Sequence, residues 1–244
     1  MFHHIIIKTT YRSNAGGAAM KLCVFGDSIA KGIVFNTVSA RYETLKLNMM
    51  ELLGLRKDVN FKNHSMFGCT VEKGLSLIER YEDELAVYDT VLLGFGGNDC
   101  NFPWNEIADA PEKSHQPKIP IETFIQTYKI VIEKIKKAGI KPVLLTLPPL
   151  DAKRFFNWVS KGINAEGILK WLGDVNIIYR WQEMYSMVVL SFEKTLGVPV
   201  IDVRSKFLCR QDLPELIGVD GMHPTRKGYE LIVKTVYEQL AQKR

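Results

Sequence analysis

The sequence predicts an α/β fold in which a parallel sheet carries crossover helices. Apolar runs rich in β-branched residues recur along the chain, at "KLCVFG", "VNFKNHS", "TVLLGFGG", "KPVLLTLPP" and "VPVIDV". Segments with the three-and-four spacing of amphipathic helices lie between them, and that alternation is the pattern of strand–helix–strand units. At 244 residues the chain has an ordinary size for one well-buried domain.

Taken in order, "KLCVFG" is the first strand, and a helix is expected over residues 41–53 before "VNFKNHS". Further helices are expected over 71–85, 121–138 and 179–196, alternating with the remaining strands. Gly139 and Gly197 stand just past the last two of these, where glycine commonly ends a helix. The final segment, "HPTRKGYELIVKTVYEQLAQ", predicts a helix with Pro224 at its first position and with Leu231, Ile232, Val236 and Leu240 turned inward. Two stretches interrupt this rhythm: a proline-rich irregular loop over 100–120 and an aromatic-rich helical insertion over 150–174. Phe155, Phe156, Trp158, Trp171 and Trp181 crowd the insertion and read either as a lid or dimer surface or, preferably, as a satellite core, because aromatics are chiefly burial payload. Residues 1–19 hold a three-isoleucine core that is too short for a secretory signal. They read as a leader or N-terminal extension ahead of a single domain over 20–244.

Composition narrows the function classes. With 46% hydrophobic and 24% charged residues, the chain has the proportions of a soluble globular protein rather than a disordered one. The net charge is +5, but its lysines and arginines are spread along the chain, so the electrostatic footprint of a nucleic-acid partner is missing. No apolar window approaches the length of a membrane span. Cys23, Cys69, Cys100 and Cys209 lie far apart without metal-ligand spacing, so reduced thiols and no metal are expected. A cytoplasmic location accompanies that reading, and a homo-oligomer is left open.

Ligands of parallel α/β sheets gather at the carboxyl ends of the strands. Four polar clusters fall there or on loops that reach there: "FGDS", "SMFGC", "GFGGND" and "DGMHP". Ser28 alone reads as a helix cap as readily as a nucleophile. A serine hydroxyl is a poor nucleophile without a base, and His223 is the candidate that brings an orienting acid, Asp220, three residues away. With Gly221 allowing a tight turn, the carboxylate can fix one ring nitrogen and leave the other to take a proton from Ser28. The competing reading is a surface turn in which His223 caps the last helix. Asn98 offers an amide N–H, and Gly68 and Ser28 offer backbone N–H groups, three donors suited to a developing oxyanion. Read otherwise, "GFGGND" is a turn; it is not a dinucleotide fingerprint, because Asp99 stands where the third glycine belongs. Asp27 and Asp99, within the same motifs, and Phe102 and Trp104, just downstream, are candidates to contact substrate, the two aromatics as walls of an acyl pocket.

The order of "GDS", a glycine after the second strand, "GGND" and "DGMHP" resembles the SGNH (GDSL-type) hydrolase family, from about Met20 to the C-terminus. Ile29 departs from the leucine of the family's tetrad, and Gly74 competes with Gly68 for the glycine position. The resemblance implies a three-layer α/β/α fold with a five-stranded parallel sheet, flavodoxin-like in layout. It implies Ser28 as nucleophile, His223 as general base then acid, Asp220 as its orienting partner, and an oxyanion hole of Ser28, Gly68 and Asn98. No cofactor is called for. The expected activity is hydrolysis of esters of small acyl groups, such as acetyl, through an acyl-enzyme. A thioesterase or lysophospholipase using the same groups, or a non-catalytic ligand-binding relative on the same scaffold, are the alternatives.

Overall fold

The computed structural model describes residues 20–45 and 59–242. The expected leader, residues 1–19, and most of the helix expected over 41–53 lie outside the described residues. Strand β1 (Met20–Gly26) is an inner strand of the sheet, and its side chains alternate between two apolar layers, as the period of a strand requires. Parallel to it run β4 (Val59–Asn63), β5 (Thr90–Gly94), β6 (Lys141–Leu145) and β7 (Val200–Ile201), in the spatial order β4-β1-β5-β6-β7. Leu22 and Val24 face one way, with Leu92, Val143 and Ile201, onto α9 (Val203–Leu208) and α11 (Arg226–Gln242). Cys23 and Phe25 face the other, with Val91, Leu93 and Leu144, onto α2 (Val71–Arg80), α5 (Ile121–Lys137) and α8 (Ile177–Leu196). The result is the parallel sheet with crossover helices that the strand runs predict, in the three-layer α/β/α, five-stranded layout that the family resemblance implies.

The insertion folds as α6 (Ala152–Val159) and α7 (Ala165–Leu172), and the irregular loop holds α4 (Trp104–Asp109). Together they bury Phe102, Trp104, Ile107, Phe155 and Ile168 in a third cluster, a satellite core. No helix among the described residues is long and apolar enough to cross a membrane.

Three local expectations are corrected. Arg41–Thr44 is a strand, β3, paired antiparallel with β2 (Ile33–Asn36) in a two-stranded hairpin, and not the start of a helix. The turn decides this: the Asn36 side chain accepts hydrogen bonds from the N–H groups of Val38 and Ser39 at 2.9 and 3.2 Å, closing the chain back on itself. The helix expected over 71–85 breaks at Tyr81 into α2 and a short α3 (Glu82–Leu85), where the Tyr81 ring packs 4.0 Å from that of His64. Pro224 is not the first residue of the last helix, because it forms an isolated bridge with Ile217. Thr225 takes over the capping role, its hydroxyl accepting from the Gly228 N–H at 3.2 Å.

A buried acid ties the sheet edge to α2. Asp99 is wholly buried, and its Oδ1 accepts from the Val71 N–H at 2.8 Å, satisfying a donor at the start of that helix. Its Oδ2 has no partner among the described residues. Burial pushes the carboxyl up to about 7, and the nearby Asp27 charge adds to the rise. Between its ordinary value near 4 and about 7 the folded state therefore holds a proton that the unfolded chain has released, so this group's contribution to stability is lost as pH rises through that window. Asp99→Asn keeps the acceptor for Val71 and removes the titration. Thermal melts from pH 4 to 8 are expected to show the wild-type melting temperature falling more steeply than the variant's. The difference should be several degrees, since one pKa unit is worth about 1.4 kcal/mol and about 1 kcal/mol moves a domain of this size by ~2–4 °C. Parallel curves would contradict this account.

Candidate active site

Backbone pairing continues beyond the strand ends and brings the polar loops to one edge. The Met66 N–H donates to Gly26 O at 3.0 Å and the Asp27 N–H to Gly94 O at 3.2 Å, so the loops after β4 and β5 flank the end of β1. Gly26 is required there by close approach: a Cβ would lie 2.6 Å from Ala30 Cβ and 2.8 Å from Gly94 O. Asp27 caps the single turn α1 (Ser28–Lys31), its Oδ1 accepting from the Ile29 N–H at 2.9 Å. The capping role thus falls to Asp27, and the Ser28 hydroxyl is left for another partner. One helical turn aligns few peptide dipoles, so α1 supplies a backbone donor at Ser28 more than a macrodipole.

That partner arrives from the other end of the chain. Between α10 (Leu213–Leu216) and α11, the Gly218 N–H donates to His223 O at 2.8 Å and closes a tight loop. Gly221 inside it has φ of 75°, and a Cβ there would lie 2.3 Å from the Phe155 nitrogen, so only glycine fits. Asp220 Oδ1 accepts from the Met222 and His223 N–H groups, each at 3.1 Å, while Oδ2 lies 2.6 Å from His223 Nδ1. His223 Nε2 lies 2.9 Å from Ser28 Oγ. A carboxylate only accepts, so Nδ1 carries the proton and Nε2 is the acceptor that faces the serine O–H. All three side chains are buried. Burial alone works to raise the Asp220 carboxyl, but the hydrogen bond and charge of His223, with the two backbone donors, outweigh it and hold the group below its ordinary value.

Donors surround the serine from two further loops. Asn98 Nδ2 donates to Cys69 O at 3.2 Å, which fixes the amide while its second N–H remains for the cavity that Asn98 shares with Ser28. Among the described residues the N–H groups of Ser28 and Gly68 have no hydrogen-bond acceptor. Gly74, the competing glycine, lies inside α2 with its N–H donated to Thr70 O at 2.8 Å, so it offers no donor to the site. The cavity is lined by Ile29, Phe95, Leu145, Leu147 and Met222 beside the polar groups, and its volume is ≈ 40 Å³.

The substrate-contact candidates divide. Asp27 lines this cavity next to Ser28, and burial pushes its carboxyl up to about 6 against the Ile29 N–H and the charge of His223. Asp99 does not belong to it, because its buried carboxyl is spent on α2. Phe102 and Trp104 line a second, adjoining cavity that shares Gly97, Gln182 and Met222 with the first, so they stand one layer back from Ser28. Cys100 is buried with its thiol pushed up by desolvation and the Asp99 charge, which leaves it inert.

One residue at the site escaped sequence reasoning. Tyr42, on β3, donates its hydroxyl to Asp220 Oδ2 at 3.1 Å, and its ring lies 5.1 Å from that of His223. The signal that finds it is the pair of short runs "IVFN" and "RYET" around an asparagine-led turn, a hairpin pattern.

Comparison with known proteins places the fold and the family. A crystal structure of a lipase/acylhydrolase from Enterococcus faecalis superposes with a TM-score of 0.66 at 21% identity, covering 92% of this chain and 96% of the other. An acetyl xylan esterase, AlAXEase, superposes with a TM-score of 0.56 at 20% identity over 90% of this chain and 99% of the other. At these identities both establish the shared fold. A GDSL esterase/lipase of Arabidopsis thaliana is 25% identical over 152 residues, 62% of this chain, which spans only 43% of that relative's length. The sequence model of the GDSL-like lipase/acylhydrolase family matches residues 24–231, a span that holds Ser28, Gly68, Asn98, Asp220 and His223 in order. The chain therefore belongs to the GDSL-like lipase/acylhydrolase family of ester hydrolases.

Proposed function

We propose that residues 20–244 form one hydrolase domain that cleaves esters of small acyl groups, acetyl foremost, through an acyl-enzyme on Ser28. The observation that carries the reading is the continuous hydrogen-bonded line from Asp220 Oδ2 through His223 to Ser28 Oγ, at 2.6 and 2.9 Å. In the first half-reaction Ser28 Oγ attacks the ester carbonyl while His223 Nε2 takes its proton. Asp220 holds Nδ1–H and stabilises the imidazolium. The carbonyl oxygen, now negative, receives donors from Ser28 N–H, Gly68 N–H and the free N–H of Asn98. Collapse of the tetrahedral intermediate breaks the bond to the alcohol oxygen, which leaves with the proton from His223. Water, deprotonated by the same nitrogen, then repeats the attack on the acyl-enzyme, releasing the acid and restoring Ser28.

The preference for a short acyl group rests on size. A single water needs roughly 10–15 Å³, so the ≈ 40 Å³ cavity beside Ser28 takes a few heavy atoms rather than a long chain. The likeness in fold to an acetyl xylan esterase is in keeping with this.

Three measurements test the reading. Ser28→Ala is expected to lower kcat for p-nitrophenyl acetate by at least about four orders of magnitude, as loss of a serine nucleophile does; equal rates would dispose of the acyl-enzyme. Asn98→Ala should lower kcat about 100- to 1,000-fold with little change in KM, because its donor acts on charge that develops only in the transition state. Across p-nitrophenyl esters of rising chain length, kcat/KM is expected to fall steeply beyond butyrate, and a rise instead would point to the lysophospholipase-like alternative.

A further inference from the structure

Among the described residues Asp220 receives four donors, and one of them is foreign to its loop. The Met222 N–H, His223 N–H and His223 Nδ1 all lie within three residues of it. The fourth, the Tyr42 hydroxyl, comes from 178 residues away and shares Oδ2 with the imidazole. Its ring is clasped by Phe35, 5.2 Å away, and by Phe67, 5.5 Å away, and lies against His223 at 5.1 Å. The hairpin that carries it is anchored to the nucleophile's own turn, because the Leu45 N–H donates to Gly32 O at 2.9 Å immediately after α1. One short element thus holds the serine turn at its base and the acid of the opposite loop at its side chain.

We infer that Tyr42 is a positioning residue for the catalytic couple: its hydroxyl fixes Oδ2 of Asp220 in the plane of the imidazole and so aims His223 Nε2 at Ser28. The inference rests on the acyl-enzyme reading above and adds to it a member supplied by the β2–β3 hairpin. Donation to Oδ2 also draws off part of the negative charge that faces Nδ1, which moderates how strongly the carboxylate stabilises the imidazolium. Among the described residues the other polar or charged groups that face His223 are Asp220, Ser28 and, through its charge, Asp27; Phe67 lies 6.2 Å from the ring and is apolar. Burial and the Asp220 charge raise the Tyr42 hydroxyl above its ordinary value, so it remains a donor across the neutral range.

Tyr42→Phe keeps the ring and removes only the donor. With p-nitrophenyl acetate, kcat is expected to fall about tenfold, the rate equivalent of one hydrogen bond to a charged group, with KM nearly unchanged because the hydroxyl faces Asp220 and not the substrate. At the same time the acid limb of kcat/KM should move to higher pH, since the undiluted carboxylate stabilises the imidazolium more strongly. A fall in kcat without the shift, a shift without the fall, a change in KM alone, or no change overturns the assignment. Proton NMR of the His223 Nδ1–H supplies an arm that needs no turnover: the resonance should move downfield in Tyr42→Phe, and one that stays in place overturns the inference. Failure of the acyl-enzyme reading shows instead as undiminished hydrolysis by Ser28→Ala, so the two failures are distinct.

Discussion

The arrangement depends on one contact, the 2.9 Å approach of His223 Nε2 to Ser28 Oγ across 195 residues of chain. Neither residue sits on a long regular element at that point, so the approach must be enforced by what lies beneath. Ser28 rides on the end of an inner strand of the sheet, β1, whose neighbours β4 and β5 continue their hydrogen bonding into the flanking loops. His223 is delivered by the loop ahead of α11, and that helix is seated on the same sheet through Ile232, Val236 and Leu240. A buried tyrosine joins the two ends directly, the Tyr229 hydroxyl donating to Ile33 O at 2.8 Å just past α1. Reactive geometry here is a by-product of core packing, set by layers that contain no reactive group at all.

Burial gives the three acids near the site different fates. Asp220, Asp27 and Asp99 are all removed from water, and desolvation is the first influence on each. Asp220 accepts from four donors, one of them an imidazole, and stays below its ordinary value. Asp27 and Asp99 are raised instead, and Asp99 leaves one oxygen without a partner among the described residues. A carboxylate that must remain charged in a dry site needs its full set of donors, because removing any one leaves a buried charge partly uncompensated. The contrast explains why the acid next to histidine, and not the acid adjoining the serine in sequence, is suited to steady an imidazolium.

Much of this was legible in the sequence because it is periodic or local. Strands with both faces buried read as continuous apolar runs, which mark β1, β5, β6 and β7, whereas the edge strand β4 is legible through the alternation of "VNFKN". The Asp220–His223 spacing was legible because a glycine between them permits only a tight turn. The hairpin was not, because "RYET" is exposed on both faces and its spacing suits a helix as well as a strand; the turn at Asn36, not the strand, decides. The direction of the Asp99 side chain was not legible for a different reason. Its motif lies at the right sheet edge, but its side chain turns toward Val71, 28 residues earlier, a choice that only tertiary packing makes. Phe102 and Trp104 follow the Asn98 motif closely, yet the satellite core draws them one layer away from the serine.

The insertion over 150–174 looks in sequence like an appendage, but the structure makes it a buttress of the histidine loop. The Asp151 N–H donates to Gly221 O at 2.8 Å, and the Arg154 guanidinium donates to the carbonyls of Pro214 and Ile217, each at 2.9 Å. The backbone of Phe155 meets Gly221 so closely that no side chain fits between them. Trp158, from the same helix, packs its ring 4.6 Å from that of Phe35 and so touches the hairpin as well. The region that would shape the pocket wall is therefore mechanically joined to the turn that sets Asp220 and His223. Under the acyl-enzyme reading, side chains there are not free to vary for substrate fit alone: a change that shifts α6 would also shift the imidazole, and because a misplacement of about 1 Å can cost about 100-fold in rate, selectivity and rate would be coupled through one small patch of backbone.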